Sequence, residues 1–160
     1  MDGAYSIATD QIRTLAHRCH DLDVQFDRLF VEGSVRSYSD RTYQTYNHLL
    51  ATSLLNLAIS IHVSLGTEPE YVRRDQALGA SGIFGNGGPH GNGAYSIKDV
   101  CDRLIQADDI FKPIEQETDH SGCRLIGSIQ RKQWELGLGV QVLTDYVLTW
   151  LDEIDRRRGQ

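Results

Sequence analysis

Lysine, paired cysteine and long unbroken apolar runs are what this chain of 160 residues has least of. Only Lys98, Lys112 and Lys132 are lysine, so thirteen of the sixteen basic residues are arginine, the side chain suited to planar, bidentate contacts. Cys19, Cys101 and Cys123 are odd in number and far apart, and no CxxC pair occurs. A disulfide framework is therefore not expected. No apolar run approaches 18 residues, so a membrane span is not expected. The opening MDGAYSIATD has neither a basic region nor an apolar core, so it does not read as a signal peptide, and a cytoplasmic location is expected. Walker-type GxxxxGK[ST], strand-preceded GxGxxG and GxSxG are all missing.

What is present describes an ordinary globular chain. Apolar residues make up 40% and charged residues 24%, enough for one domain over 1–160 with a sizeable core. The formal net charge of -6 argues against general coating of nucleic acid or anionic membranes. Arg156, Arg157 and Arg158 read as a solvated helix end that complements the helix dipole.

Helical periodicity dominates. Ile12, Leu15, Cys19, Leu22, Phe26 and Leu29 form one stripe in a helix expected from Thr9, its N-cap, to about Val31, with Gly33 as the stop. Tyr43, Tyr46, Leu50, Leu54, Leu57 and Ile61, widened by Leu49, Ala58 and Val63, mark a central helix from about Ser39 to Leu65, stopped by Gly66. Thr67 and Glu70 form a capping-box pattern that opens a short helix to Leu78. Residues 79–95 hold seven of the fifteen glycines and read as a long mobile loop. Ser96 and Asp99 make a second capping box, whose helix is expected to run toward Pro113. Residues 115–121 read as a surface connection. Period-two alternation on both sides of Arg131-Lys132-Gln133 predicts a β-hairpin near 123–140. A closing helix from about Val142 to Arg157 buries Val142, Leu143, Tyr146, Val147, Trp150, Leu151 and Ile154. The expected fold is mostly α: an antiparallel bundle of about four main helices with one small hairpin.

The sharpest chemical constellation is Arg41, Asn47 and His48. Arg41 and His48 are two helical turns apart and project from nearly one face. A guanidinium can hold a phosphate and an imidazole can move a proton near neutral pH, the two needs of metal-free RNA cleavage. Asn47 adds an amide beside the imidazole. The same spacing recurs from Arg13 to His20. The other reading of His48 is a polar residue flanking the apolar stripe and bonded to a neighbour, and of Arg41 a surface residue beside Asp40. His17 and His20 have an i, i+3 metal-ligand spacing, but Cys19 falls on the apolar stripe; no metal and no cofactor is expected.

Arg-x(6)-His on a helix of a small helical domain resembles the HEPN superfamily, and the first 65 residues are similar in layout to its abortive-infection members. The resemblance implies a homodimer in a bacterial defence or toxin–antitoxin type system, acting as a metal-independent endoribonuclease on single-stranded RNA. Arg41 would bind phosphate and His48 would serve in acid–base catalysis, with Asn47 beside it. The alternative is a non-catalytic helical module that binds a protein partner, as an immunity, antitoxin or adaptor protein does.

Overall fold

The computed structural model describes residues 2–31, 40–65, 83–85, 95–114 and 122–159. Helix accounts for 72% of them, which places the chain in the mostly helical class with a small antiparallel sheet.

Helix α1 spans Asp2–Phe26 and continues as a π-helical turn, Asp27–Val31. Thr9 is not its cap: it lies inside the helix and is buried. Apart from Gly3 nothing between Asp2 and Thr9 opposes helix, so propagation continues past the expected start. Ile12, Cys19 and Phe26 are fully buried, as the stripe predicts. The wider π turn then changes the phase, so Phe30 is buried while Leu29 is 43% exposed.

Helix α2, Asp40–Leu65, is the central element; it packs against α1 on one side and α3 on the other. Leu50, Leu54, Leu57, Ala58 and Ile61 form its core face, whereas Leu49 and Val63, expected to widen it, lie on the exposed side of the helix. By length and composition alone α2 is apolar enough to cross a bilayer, with a mean hydropathy of 1.5. Its core face is packed within the fold, and only 39% of that apolar window is buried. The expected Gly66 stop, the Thr67–Glu70 cap and the short helix to Leu78 lie outside the described residues.

Within the glycine-rich segment expected to be a loop, Ile83–Gly85 forms strand β1. Two consecutive apolar residues supply the β-type pattern that the surrounding glycines obscure. Tyr95, at the segment's end, is buried, and the remainder lies outside the described residues.

Helix α3, Ile97–Gln106, opens with the predicted capping box: Asp99 N–H donates to Ser96 Oγ at 3.0 Å and Ser96 N–H to Asp99 Oδ2 at 3.0 Å. It stops well before Pro113, because Ala107 turns extended and Asp109–Phe111 pairs as β2. Sheet pairing outweighs the weak helical tendency of Asp108-Asp109.

Strands β3 (Cys123–Ile129) and β4 (Lys132–Leu138) form the predicted hairpin. Its two-residue turn, Gln130-Arg131, has φ of 52° and 69°, both left-handed, as a type I′ turn requires. Gly127 lies opposite Trp134, and a Cβ there would meet the indole at 2.4 Å. The glycine is thus a space requirement rather than a strand breaker. Arg103 of α3 stacks on the same indole, 4.7 Å from its centroid.

The sheet is antiparallel in the order β1-β4-β3-β2. Cys123, Leu125, Gly127, Trp134, Leu136 and Leu138 face inward, while Arg124 and Glu135 pair on the outer face. Helix α4, Val140–Arg158, packs on α1. Arg13 crosses to it, bonding Asp152 at 2.6 Å and Asp155 at 2.7 Å, so the second Arg-x(6)-His arginine ties two helices together. One continuous core joins the four helices to the inner face of the sheet.

Candidate functional site

The N-terminal half of α2 meets the α3–β2 connection. Tyr43, Asn47, Ala51 and Leu55 recur at four-residue spacing, so one side of α2 faces residues 107–111. The Tyr43 hydroxyl donates to the Lys112 carbonyl at 2.7 Å. The Lys112 N–H donates to Asn47 Oδ1 at 2.6 Å. These two side chains clamp the backbone just beyond β2.

Behind the clamp, the Lys112 side chain is 4% exposed. Its ammonium bonds Asp23 at 2.7 Å and Asp27 at 2.6 Å, both from the end of α1, and lies 5.3 Å from the Phe26 ring centroid. Gln141 of α4 donates to the other oxygen of Asp23 at 3.1 Å. Burial opposes the ammonium's charge, but Asp23 and Asp27 outweigh it and hold the lysine above its ordinary pKa. Rings of Phe26, Phe30, Tyr43 and Tyr46 pack around this node at centroid distances of 4.7–5.8 Å. The node is a charged, protonated lysine locked between carboxylates, which suits holding α1, α2, α4 and β2 together, not attacking a substrate.

In front of the clamp a cleft of about 510 Å³ opens between α2 and residues 107–111. Its α2 wall includes Gln44, His48, Ala51 and Leu55, and its other wall includes Asp108, Asp109, Ile110 and Phe111. His48 and Gln44 are exposed. Asp108 is tied at its backbone N–H to the Ile126 carbonyl, 2.8 Å, and Asp109 is exposed. No lysine or arginine is among the described lining residues.

The three sequence-predicted site residues therefore separate. His48 lines the cleft, and Asn47 reaches it but has its carbonyl oxygen committed to Lys112. Arg41 is exposed in the first turn of α2 and is not among the described lining residues. In the second cluster, Cys19 is buried while His17 is exposed, and no group of three or more His, Cys, Asp or Glu suited to a metal occurs among the described residues. Burial pushes the Cys19 and Cys123 thiols up to about 12. Such thiols are inert near neutral pH.

Sequence reasoning passed over Lys112, Asp23, Asp27 and Tyr43. A signal existed for Asp23: it lies four residues after Cys19 and three before Phe26, on the apolar stripe itself. A carboxylate there requires a buried partner.

A third surface of α2 points away from the core. Thr45, Leu49, Thr52, Asn56, Ile59 and Val63 follow a 4-3-4-3-4 spacing. Leu49, Ile59 and Val63 are 45%, 42% and 74% exposed. From Thr42 to Leu65 the helix carries no Asp, Glu, Lys or Arg. A solvent-facing helix normally puts charge on that side. Comparison with family models, with curated proteins and with solved structures finds no match for this chain.

Proposed function

We propose that this chain is a non-catalytic helical interaction module, of the immunity, antitoxin or adaptor kind, which works in the cytoplasm as a homodimer. The reading takes the four helices as an antiparallel bundle with α2 presenting its outer face. The single observation that carries it is the exposed, charge-free seam of Leu49, Thr52, Asn56, Ile59 and Val63 on α2. Interface cores are depleted of charge, and a 3-4 apolar spacing is the seam along which two helices pair. With a net charge of -6 two copies repel each other overall, whereas the seam positions themselves carry no charge. Asn56 can bond its own copy across a two-fold axis, as a polar residue within such a seam does.

The test is light scattering coupled to size exclusion, for the wild type and for Ile59→Asp/Val63→Asp. The expected result is a dimer for the wild type and a folded monomer for the variant. A wild-type monomer at tens of micromolar removes the homodimer from the reading.

A second reading is favoured by the exposure of His48 in an open cleft. It is the HEPN-like one: a metal-independent endoribonuclease of a defence or toxin–antitoxin type system, with Arg41 on the phosphate and His48 moving the proton. Asp108 and Asp109 oppose it, since they put negative charge where a phosphate would approach. Cleavage of labelled single-stranded RNA in EDTA, lost in a folded His48→Ala variant, would establish this second reading; equal cutting or none by both proteins would remove His48 from catalysis.

A further inference from the structure

We infer that two copies pair α2 antiparallel, and that toward each end of the seam His48 of one copy joins His62 and Asp102 of the other to hold a divalent transition-metal ion such as Zn2+. The inference rests on the homodimer reading and adds to it an orientation and a ligand.

The orientation comes from the seam. Thr45, Leu49, Thr52, Asn56, Ile59 and Val63 give the same 4-3-4-3-4 spacing from either end. A reversed copy therefore matches the stripe position by position. Thr45 faces the partner's Val63, Leu49 faces the partner's Ile59, and Thr52 faces the partner's Asn56. Leu49 and Ile59, both exposed in the single chain, cover each other, and the central hydroxyl and amide can bond across the contact. Reversal also sets the positive N-terminal end of each helix beside the negative C-terminal end of its partner. A parallel copy would instead bring both N-termini and both Arg41 guanidiniums to one end.

The flank of the seam carries the ligands. His48, Leu55 and His62 immediately precede the seam residues Leu49, Asn56 and Val63, and so recur every seven residues. They lie on the side of α2 toward the cleft and α3: His48 and Leu55 line the cleft, and His62 faces Asp102 of α3. Fourteen residues of helix put His48 and His62 about 21 Å apart, so one chain cannot bring them together. A two-fold axis perpendicular to both helices leaves this flank on the same side of the contact in both copies. Leu55 then meets its own copy, and each His48 meets the partner's His62.

The donor set suits a metal. His62 Nδ1 lies 3.8 Å from Asp102 Oδ1. That is beyond hydrogen-bonding distance, but close to the roughly 3.4 Å between two donors that each sit about 2.1 Å from one tetrahedral ion. Lys98 holds the other oxygen of Asp102 at 2.7 Å, which fixes the direction of Oδ1. One chain alone assembles no three such groups among the described residues, and the pairing supplies the third. Asp108 and Asp109, which line the same cleft as His48, add negative charge that favours a cation. Two imidazoles and a carboxylate, with water in the fourth position, fit Zn2+ and its neighbours, whereas Mg2+ demands oxygen donors.

The full chain, stripped with EDTA and then freed of it, is titrated with ZnCl2 by calorimetry and weighed by light scattering. The expected result is one Zn2+ bound per chain, a dimer dissociation constant lowered about tenfold or more, and no response to MgCl2. His48→Ala and His62→Ala should each lose this binding while circular dichroism stays unchanged. Refolding the two variants together gives mixed dimers, in which one site has both alanines and the other has both histidines. The mixture should therefore regain zinc binding that neither variant has alone, which a site within one chain or a parallel pair would not do. A wild-type dimer that binds no Zn2+, binding that survives either substitution, or no recovery in the mixture overturns the inference and leaves the homodimer standing. A wild type that stays monomeric with and without Zn2+ removes both.

Discussion

Tyr43 and Asn47 sit beside Gln44 and His48 on α2, yet the two pairs do opposite things. Tyr43 and Asn47 are half-buried and hold both backbone groups of Lys112. Gln44 and His48, one position further round the helix, are exposed at an open cleft. The difference teaches how to sort polar residues. A polar group with a partner in a low-dielectric setting maintains the fold, and its removal strands that partner. A polar group in water contributes little to stability and is available to a ligand.

The largest break in that contrast is expected at the node behind the clamp. Lys112→Met leaves Asp23 and Asp27 without their cation, and the expected loss is about 3–5 kcal/mol in urea unfolding. The pH dependence has a definite sign. The lysine's folded pKa is raised, so its contribution is fully present below the ordinary lysine value and is lost as pH rises through the raised one. The stability that the lysine's charge contributes should therefore fall in strongly alkaline solution, and Lys112→Met should lack that fall.

Next is Asn47→Ala, which removes the acceptor from the Lys112 N–H; the expected cost is about 1–3 kcal/mol, read by the same unfolding curves. Ser96→Ala tests a committed polar group away from α2. It should cost about 1 kcal/mol through loss of the α3 cap, with a matching drop in melting temperature. His48→Ala should change stability by less than about 0.5 kcal/mol. A loss at His48 as large as that at Asn47 would erase the distinction and place His48 among the residues that hold the fold.

The legible parts were those set by local periodicity and local chemistry. The α2 core stripe, the Ser96–Asp99 capping box, the hairpin and the closing helix all follow from residues within one or two turns of each other. The Leu29-to-Phe30 change of phase was not legible, because a π turn alters the period on which the stripe depends. Neither were β1 and β2. A three-residue strand has too little pattern of its own and exists because β4 or β3 pairs with it.

For the candidate site, His48 was legible as a chemically capable residue on an open helix face. Asn47's commitment was not, since its partner is Lys112, far away in sequence.

What the sequence by itself determined was the mostly helical class, the places where α3 and the hairpin begin, and the stripes that make the core. These depend on hydrophobic period and on hydrogen bonds between near neighbours. What only the tertiary structure decided was the fate of individual polar side chains. Lys112, Asp23 and Asp27 come together from segments more than eighty residues apart. Burial then makes their pairing obligatory, because an unpaired charge in the interior costs several kcal/mol where an exposed one costs almost nothing.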